Sequence, residues 1–151
     1  MRFTNNTLTS DEIIKELKGI PGFLGVVSRD QIPKLPVDRL FSLVVNMDDS
    51  KGPGTHWVAL YHAKGSKYLD YFDSFGAPPP LEITNPKGGR SLDILTSDGI
   101  LQALQSSSCG YYCIDFIRSR NAGMSYQAFL DTFEENHGSH NEKILDEEFN
   151  L

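Results

Sequence analysis

The stretch Gln102-Ala103-Leu104-Gln105-Ser106-Ser107-Ser108-Cys109-Gly110-Tyr111-Tyr112-Cys113-Ile114-Asp115-Phe116-Ile117 changes character halfway along. A polar loop of small residues runs into Cys109-Gly110, and a nearly unbroken apolar run follows. Cys113, Phe116, Ile117 and Arg120 recur at helical spacing with Tyr112 beside them. This predicts a largely buried helix from Gly110 to Arg120, ending near Asn121-Ala122-Gly123. Cys109 then sits at the helix N-terminus, where unpaired N–H groups and the macrodipole favour thiolate over thiol. Gly110 is expected to leave room for a substrate backbone. A buried structural cysteine is the plainer reading, since free Cys is among the most buried residue types. A base and its orienter elsewhere in the chain decide between the two.

Both are found in one hairpin. His56 to His62 and Lys67 to Ser74 are aromatic and β-branched runs around Ala63-Lys64-Gly65-Ser66. A turn centred between Lys64 and Gly65 pairs His56 with Asp73, Trp57 with Phe72 and Tyr61 with Tyr68. Directly opposite residues share a face, with Cβ atoms about 4.5–5.5 Å apart, within reach of an imidazole–carboxylate bond. Asp70 falls on the other face by strand parity and is set aside as orienter. A surface histidine and a strand-ending aspartate are the ordinary alternative. The register coincidence, with a helix-capping cysteine downstream, favours a catalytic group.

The rest of the chain frames that hairpin. Thr9 and Glu12 form a capping box for a short helix carrying Ile13, Ile14 and Leu17, stopped by Gly19 and Pro21. Pro21 to Val27 reads as a turn into an extended segment, Phe41 to Asn46 as a buried strand, and Met47 to Thr55 as a polar loop leading to His56. Phe75 to Arg90, rich in Pro and Gly, reads as surface loop. Ile100 to Leu104 is expected to be a short strand feeding the cysteine loop. Ser125 begins a second helix with Tyr126, Phe129, Leu130 and Phe133 at core spacing and Gly138 just past its end.

At 151 residues the chain has single-domain size, read as one domain over 1–138 followed by an acidic tail at 139–151 that either docks or stays mobile. The net charge of −6 is concentrated near the C-terminus, where residues 134–151 hold six acids against Lys143 alone. The body is therefore close to neutral and lacks the basic stripe of a nucleic-acid-binding protein. No apolar run is long enough to span a membrane, and the polar start is no signal peptide. With no export signal, the cysteine pair Cys109 and Cys113 points to a reducing intracellular compartment and not to a disulfide scaffold. Its spacing is wrong for a redox C-x-x-C, and no second Cys/His cluster offers a metal site. No cofactor is expected.

His56, Asp73 and Cys109 thus supply a base, an orienter and a nucleophile. The oxyanion donors would be the Cys109 N–H with a side-chain amide from Gln102 or Gln105. In these residues the chain resembles the adenovirus-type cysteine proteases (adenain), within the larger group that includes ubiquitin-like-protein proteases. The resemblance rests on His56-Trp57, on Tyr71-Phe72-Asp73-Ser74-Phe75-Gly76, and on Gln102 seven residues before Cys109-Gly110-Tyr111-Tyr112-Cys113. It extends through Phe23-Leu24-Gly25 and Val44-Val45-Asn46, covering residues 8–135.

The resemblance implies an α+β, papain-like fold of adenain type, its nucleophile helix packed on a mixed sheet that carries the histidine and the acid. It implies endopeptidase activity at small, glycine-containing motifs, in viral capsid and core precursors, and Gln102 as oxyanion donor ahead of Gln105. Polypeptide substrates, a monomer, and residence in the nucleus or cytoplasm of a host and in the virion are expected with it. Family members often carry Glu at the position of Asp73. The only other cysteine, Cys113, lies inside the nucleophile helix, so any activating peptide is not tethered by a disulfide. The near-neutral body argues against DNA stimulation. Removal of ubiquitin-like modifiers, and a non-catalytic binding module on the same fold, stand as alternatives.

Overall fold

A computed structural model of the protein describes residues 7–48, 56–103 and 106–149. Helix α1 (Ser10–Leu17) opens on the expected capping box: Thr9 Oγ1 accepts from Glu12 N at 3.2 Å, and Glu12 Oε1 accepts from Thr9 N at 3.0 Å. Strands β1 (Phe23–Ser28), β2 (Phe41–Asn46), β3 (Trp57–His62) and β4 (Tyr68–Phe72) follow, then the short helix α2 (Leu81–Thr84) and strand β5 (Asp93–Leu95). The chain ends in helices α3 (Cys109–Asn121), α4 (Tyr126–Leu130) and α5 (Gly138–Glu148). The five strands form one mixed sheet in chain order, antiparallel at β2–β3 and β3–β4, and parallel at both edges.

Both faces of the sheet are covered. On one side Val44, Ala59, Tyr61 and Phe72 pack against α1 and the buried face of α3. On the other, Leu43, Val45, Val58, Leu60, Leu69 and Tyr71 are closed over by Ile32 and Ile83 from the connections. All six residues of β3 are accordingly buried, which is why its sequence is a continuous apolar run with no alternation. The fold is the expected α+β arrangement, with the cysteine helix laid on the sheet.

The hairpin register differs from the sequence expectation by two residues. Ala59 pairs with Phe72, Leu60 with Tyr71 and Tyr61 with Asp70. The turn extends further into the second strand: Ser66 N donates to Ala63 O at 3.0 Å, Gly65 takes φ of 83°, and Ser66 Oγ accepts from Tyr68 N at 3.0 Å. The expected Trp57–Phe72 and Tyr61–Tyr68 pairs do not form. Tyr61 instead lies opposite Asp70 with the Arg120 guanidinium 4.6 Å from its ring centre, and Arg120 is bonded to Asp70 at 2.7 Å. An even shift leaves every side chain on its expected face.

Other corrections are local. Ile100 to Ala103 is irregular and not a strand; Leu101 N and Gln102 N both donate to Ser74 O, at 2.8 and 3.1 Å. Its expected end at Leu104, like Gln105, lies outside the described residues, as does most of the loop before His56. Within the expected surface loop after Phe75, α2 forms, and β5 adds an edge strand just beyond it. Ser125 does cap α4, its Oγ accepting from Ala128 N at 3.1 Å, but α4 stops at Leu130, short of the expected Phe133, and Gly138 opens α5 instead of following the end of α4. The acidic segment is helical and docks, with Asn141, Glu142 and Leu145 buried.

Candidate active site

His56 stands immediately before β3, Asp73 immediately after β4, and Cys109 is the first residue of α3. Two strand ends and one helix N-terminus therefore meet at a single edge of the sheet. His56 Nε2 lies 2.8 Å from Asp73 Oδ1. The carboxylate does not sit directly opposite the imidazole, as the expected register had it. Continuing the observed register would place Phe75 opposite His56, and those two rings lie tilted at 36° with centres 5.3 Å apart. Asp73 reaches His56 across the diagonal. Its Oδ1 also accepts from Phe75 N at 2.8 Å, which fixes the carboxylate before any substrate arrives.

The Cys109 side chain lies near enough to the same imidazole to act on its charge. With Nε2 held by Asp73, Nδ1 is the ring nitrogen left to face sulfur. Burial alone would lower the His56 pKa. The hydrogen bond to Asp73, the nearness of Cys109 and the negative charge of both partners outweigh it and hold the pKa at about 9 against an ordinary 6.5. His56 is consequently an imidazolium at neutral pH, beside a sulfur at the positive end of a 13-residue helix. Cys113, one turn further on, is fully enclosed, and burial pushes its thiol well above the ordinary range. Cys113 is a core side chain.

Gln102 is also brought to this edge. Its Oε1 accepts from Ser74 Oγ at 2.6 Å and its Nε2 donates to Ser106 O at 2.9 Å. The amide thus bridges the residue after Asp73 to the loop three residues before Cys109. One of its two N–H groups is committed to Ser106, and the second has no acceptor among the described residues. Ser74 and Phe75 have no role that sequence alone assigns, although both lie in the quoted Tyr71–Gly76 motif. Their contacts are with backbone and neighbouring side chains, which leave no pattern in composition.

One expectation changes. Gly110 does not make room for a substrate backbone. The space a side chain would fill there is taken by Leu8 and Trp57, whose indole N–H donates to Leu8 O at 3.2 Å. Asp70, excluded as orienter by parity, faces α3 and pairs with Arg120 at 3.0 and 2.7 Å.

No protein-family model matches the chain. It is similar to a cysteine protease of African swine fever virus, 31% identical over 103 residues that make up 61% of this chain and 38% of that protein. The counterpart from another isolate of that virus, 30% identical over 103 residues, is named a SUMO-1 cysteine protease. The protease of bovine adenovirus 2 is 25% identical over 120 residues, 71% of this chain and 58% of that one. The chain therefore spans less than two fifths of the swine fever virus relative. The crystal structure of the swine fever virus protease superposes with a TM-score of 0.58 at 20% identity, over 93% of this chain and 67% of the other, and shows the shared fold. The end of the sheet thus gathers histidine, aspartate and cysteine in this order, in a chain similar to these viral cysteine proteases and on a fold shared with the swine fever virus enzyme.

Proposed function

We propose that the protein is a cysteine endopeptidase in which Cys109 is the nucleophile, His56 the general acid–base, Asp73 its orienter and Gln102 an oxyanion donor. The observation that carries the reading is the position of His56, bonded to Asp73 at 2.8 Å and close enough to Cys109 for both to raise its pKa to about 9. The Cys109 thiolate attacks the scissile carbonyl carbon, and the π electrons move to oxygen. The resulting oxyanion takes hydrogen bonds from the Cys109 backbone N–H and the free N–H of Gln102. Collapse breaks the C–N bond, and imidazolium His56 gives its proton to the departing amine. Neutral His56 then takes a proton from water as its oxygen attacks the thioester carbon, and collapse breaks the C–S bond, releases the acid and regenerates the thiolate–imidazolium pair.

Small, glycine-containing cleavage motifs in viral structural precursors are proposed from the resemblance to adenovirus-type enzymes. The name of the swine fever virus relative favours a second reading, hydrolysis at the C-terminus of a ubiquitin-like modifier. The two separate in one assay. Gly-Gly-containing peptides and modifier–fluorophore conjugates are offered to the same preparation, and kcat/KM is compared. We expect peptides to be cut with kcat/KM at least tenfold above any conjugate. Preference for a conjugate by the same margin would establish the second reading, and no turnover of either would refute the endopeptidase.

A further inference from the structure

The acidic C-terminal segment sends two polar side chains inward to one place. Asn141 and Glu142 are both 0% exposed. Asn141 Nδ2 donates to Leu101 O at 2.9 Å, and Glu142 Oε2 accepts from Ala103 N at 2.8 Å. One residue earlier, Ile100 O accepts from Asn136 N at 2.8 Å. The backbone on either side of Gln102 is thus tied to residues of the 136–142 segment, while the N–H of Gln102 itself goes to Ser74 O.

Two further contacts tighten the arrangement. The Tyr112 hydroxyl, three residues beyond Cys109, lies 3.1 Å from both Leu101 O and Glu142 Oε2, so α3 joins the same network. Gly138, the first residue of α5, meets Ala103 backbone to backbone, and a methyl group added there would overlap Ala103 N and Cα. Both contacts of the buried Glu142 carboxylate fall on Oε2, and Oε1 is buried with no partner among the described residues, so the side chain is held there by Ala103 N–H and the Tyr112 hydroxyl alone.

We infer that Asn141 and Glu142 are positioning residues: α5 braces Leu101–Ala103 and thereby sets where the Gln102 amide points. The inference rests on the reading of Gln102 as oxyanion donor, and its test keeps the two apart. Peptide hydrolysis needs both the thiolate–imidazolium pair and the oxyanion donors. Alkylation of Cys109 by iodoacetamide needs the pair alone, because no oxyanion forms. A structural defect would slow both reactions, and a misplaced amide would slow only hydrolysis.

Gln102→Ala, Glu142→Ala, Glu142→Gln and the Gln102→Ala/Glu142→Ala double variant are measured by both readouts. Gln102→Ala is expected to lower kcat roughly 10²–10³-fold, the usual loss of one oxyanion donor. Glu142→Ala should lower kcat about 10–100-fold through misplacement, with KM and the alkylation rate close to wild type. Glu142→Gln, which keeps an acceptor for Ala103 N–H, should recover most of the loss. The double variant should fall no further than Gln102→Ala alone. Gly138→Ala, which presses on Ala103 with every hydrogen-bonding group intact, repeats the test should Glu142→Ala not fold. Wild-type kcat in both the Glu142→Ala and Gly138→Ala variants, parallel loss of alkylation and hydrolysis, or additive losses in the double variant would each overturn the inference while leaving Gln102 in its role. Wild-type kcat in Gln102→Ala would overturn the oxyanion reading and the inference together.

Discussion

The role proposed for His56 depends on what holds it. Asp73 and Cys109 outweigh the effect of burial and raise its pKa to about 9, so the imidazolium persists across neutral pH. Asp73→Asn keeps the shape but removes the charge that stabilises the imidazolium. The His56 pKa should fall, the alkaline limb of the kcat/KM profile should move to lower pH, and kcat/KM at neutral pH should drop at least tenfold. Stability follows the same linkage. A folded pKa above the unfolded one stabilises fully below about 6.5, and the contribution is lost as pH rises through about 9. Urea midpoints between pH 6 and pH 10 should therefore fall less in Asp73→Asn than in wild type. Asp70→Asn should leave the profile and the turnover of the folded protein unchanged. Its stability cost should be about 1–3 kcal/mol, because it breaks a mostly buried pair with Arg120. A flat response to Asp73→Asn beside an inactive, folded Asp70→Asn would reverse the assignment.

At the scale of elements, periodicity carries most of what the sequence discloses. The capping box at Thr9, strand β2 at Phe41–Asn46 and the start and end of α3 are all legible from local pattern. The choice of Asp73 over Asp70 survives the register error because the slip is even, and parity is insensitive to even slips. The register itself is not legible. It depends on Ser66 Oγ closing the turn and on Arg120, 50 residues beyond Asp70, selecting the partner of Tyr61. Nor does charge pattern disclose that α5 turns Glu142 and Asn141 inward, since an acidic run ordinarily reads as a solvated face. A second buried acid sits at the same helix–helix contact. Burial and the Glu148 carboxyl raise the Asp115 pKa to about 8. An acid with a raised folded pKa destabilises the fold increasingly as pH climbs from about 4 towards 8. Asp115→Asn should accordingly stabilise at pH 7 by about 1 kcal/mol or more, with the gain vanishing near pH 4. Urea titrations at the two pH values check it, and equal effects at both would show that the carboxyl pair does not hold that proton.

The described part of the molecule is a sheet covered on both faces, with the candidate site at one end. His56 and Asp73 come from adjoining ends of a hairpin, and Cys109 from a helix packed across it. The geometry of the site is therefore set by the same core residues that set the fold, chiefly Tyr61, Phe72 and Phe116 around Arg120 and Tyr126. Outside the acidic C-terminal segment the charges nearly cancel, so added duplex DNA should change kcat/KM by less than about twofold at physiological salt. A larger stimulation would require a basic surface that the charge count does not predict. The most direct test of the account is hydrolysis of a Gly-Gly-containing peptide by the Cys109→Ala and Cys113→Ala variants, each checked for folding by circular dichroism. Cys109→Ala should fall to the uncatalysed background, and Cys113→Ala should keep kcat/KM within a few-fold of wild type. Retained activity without Cys109, or equal loss in a folded Cys113→Ala, would contradict it.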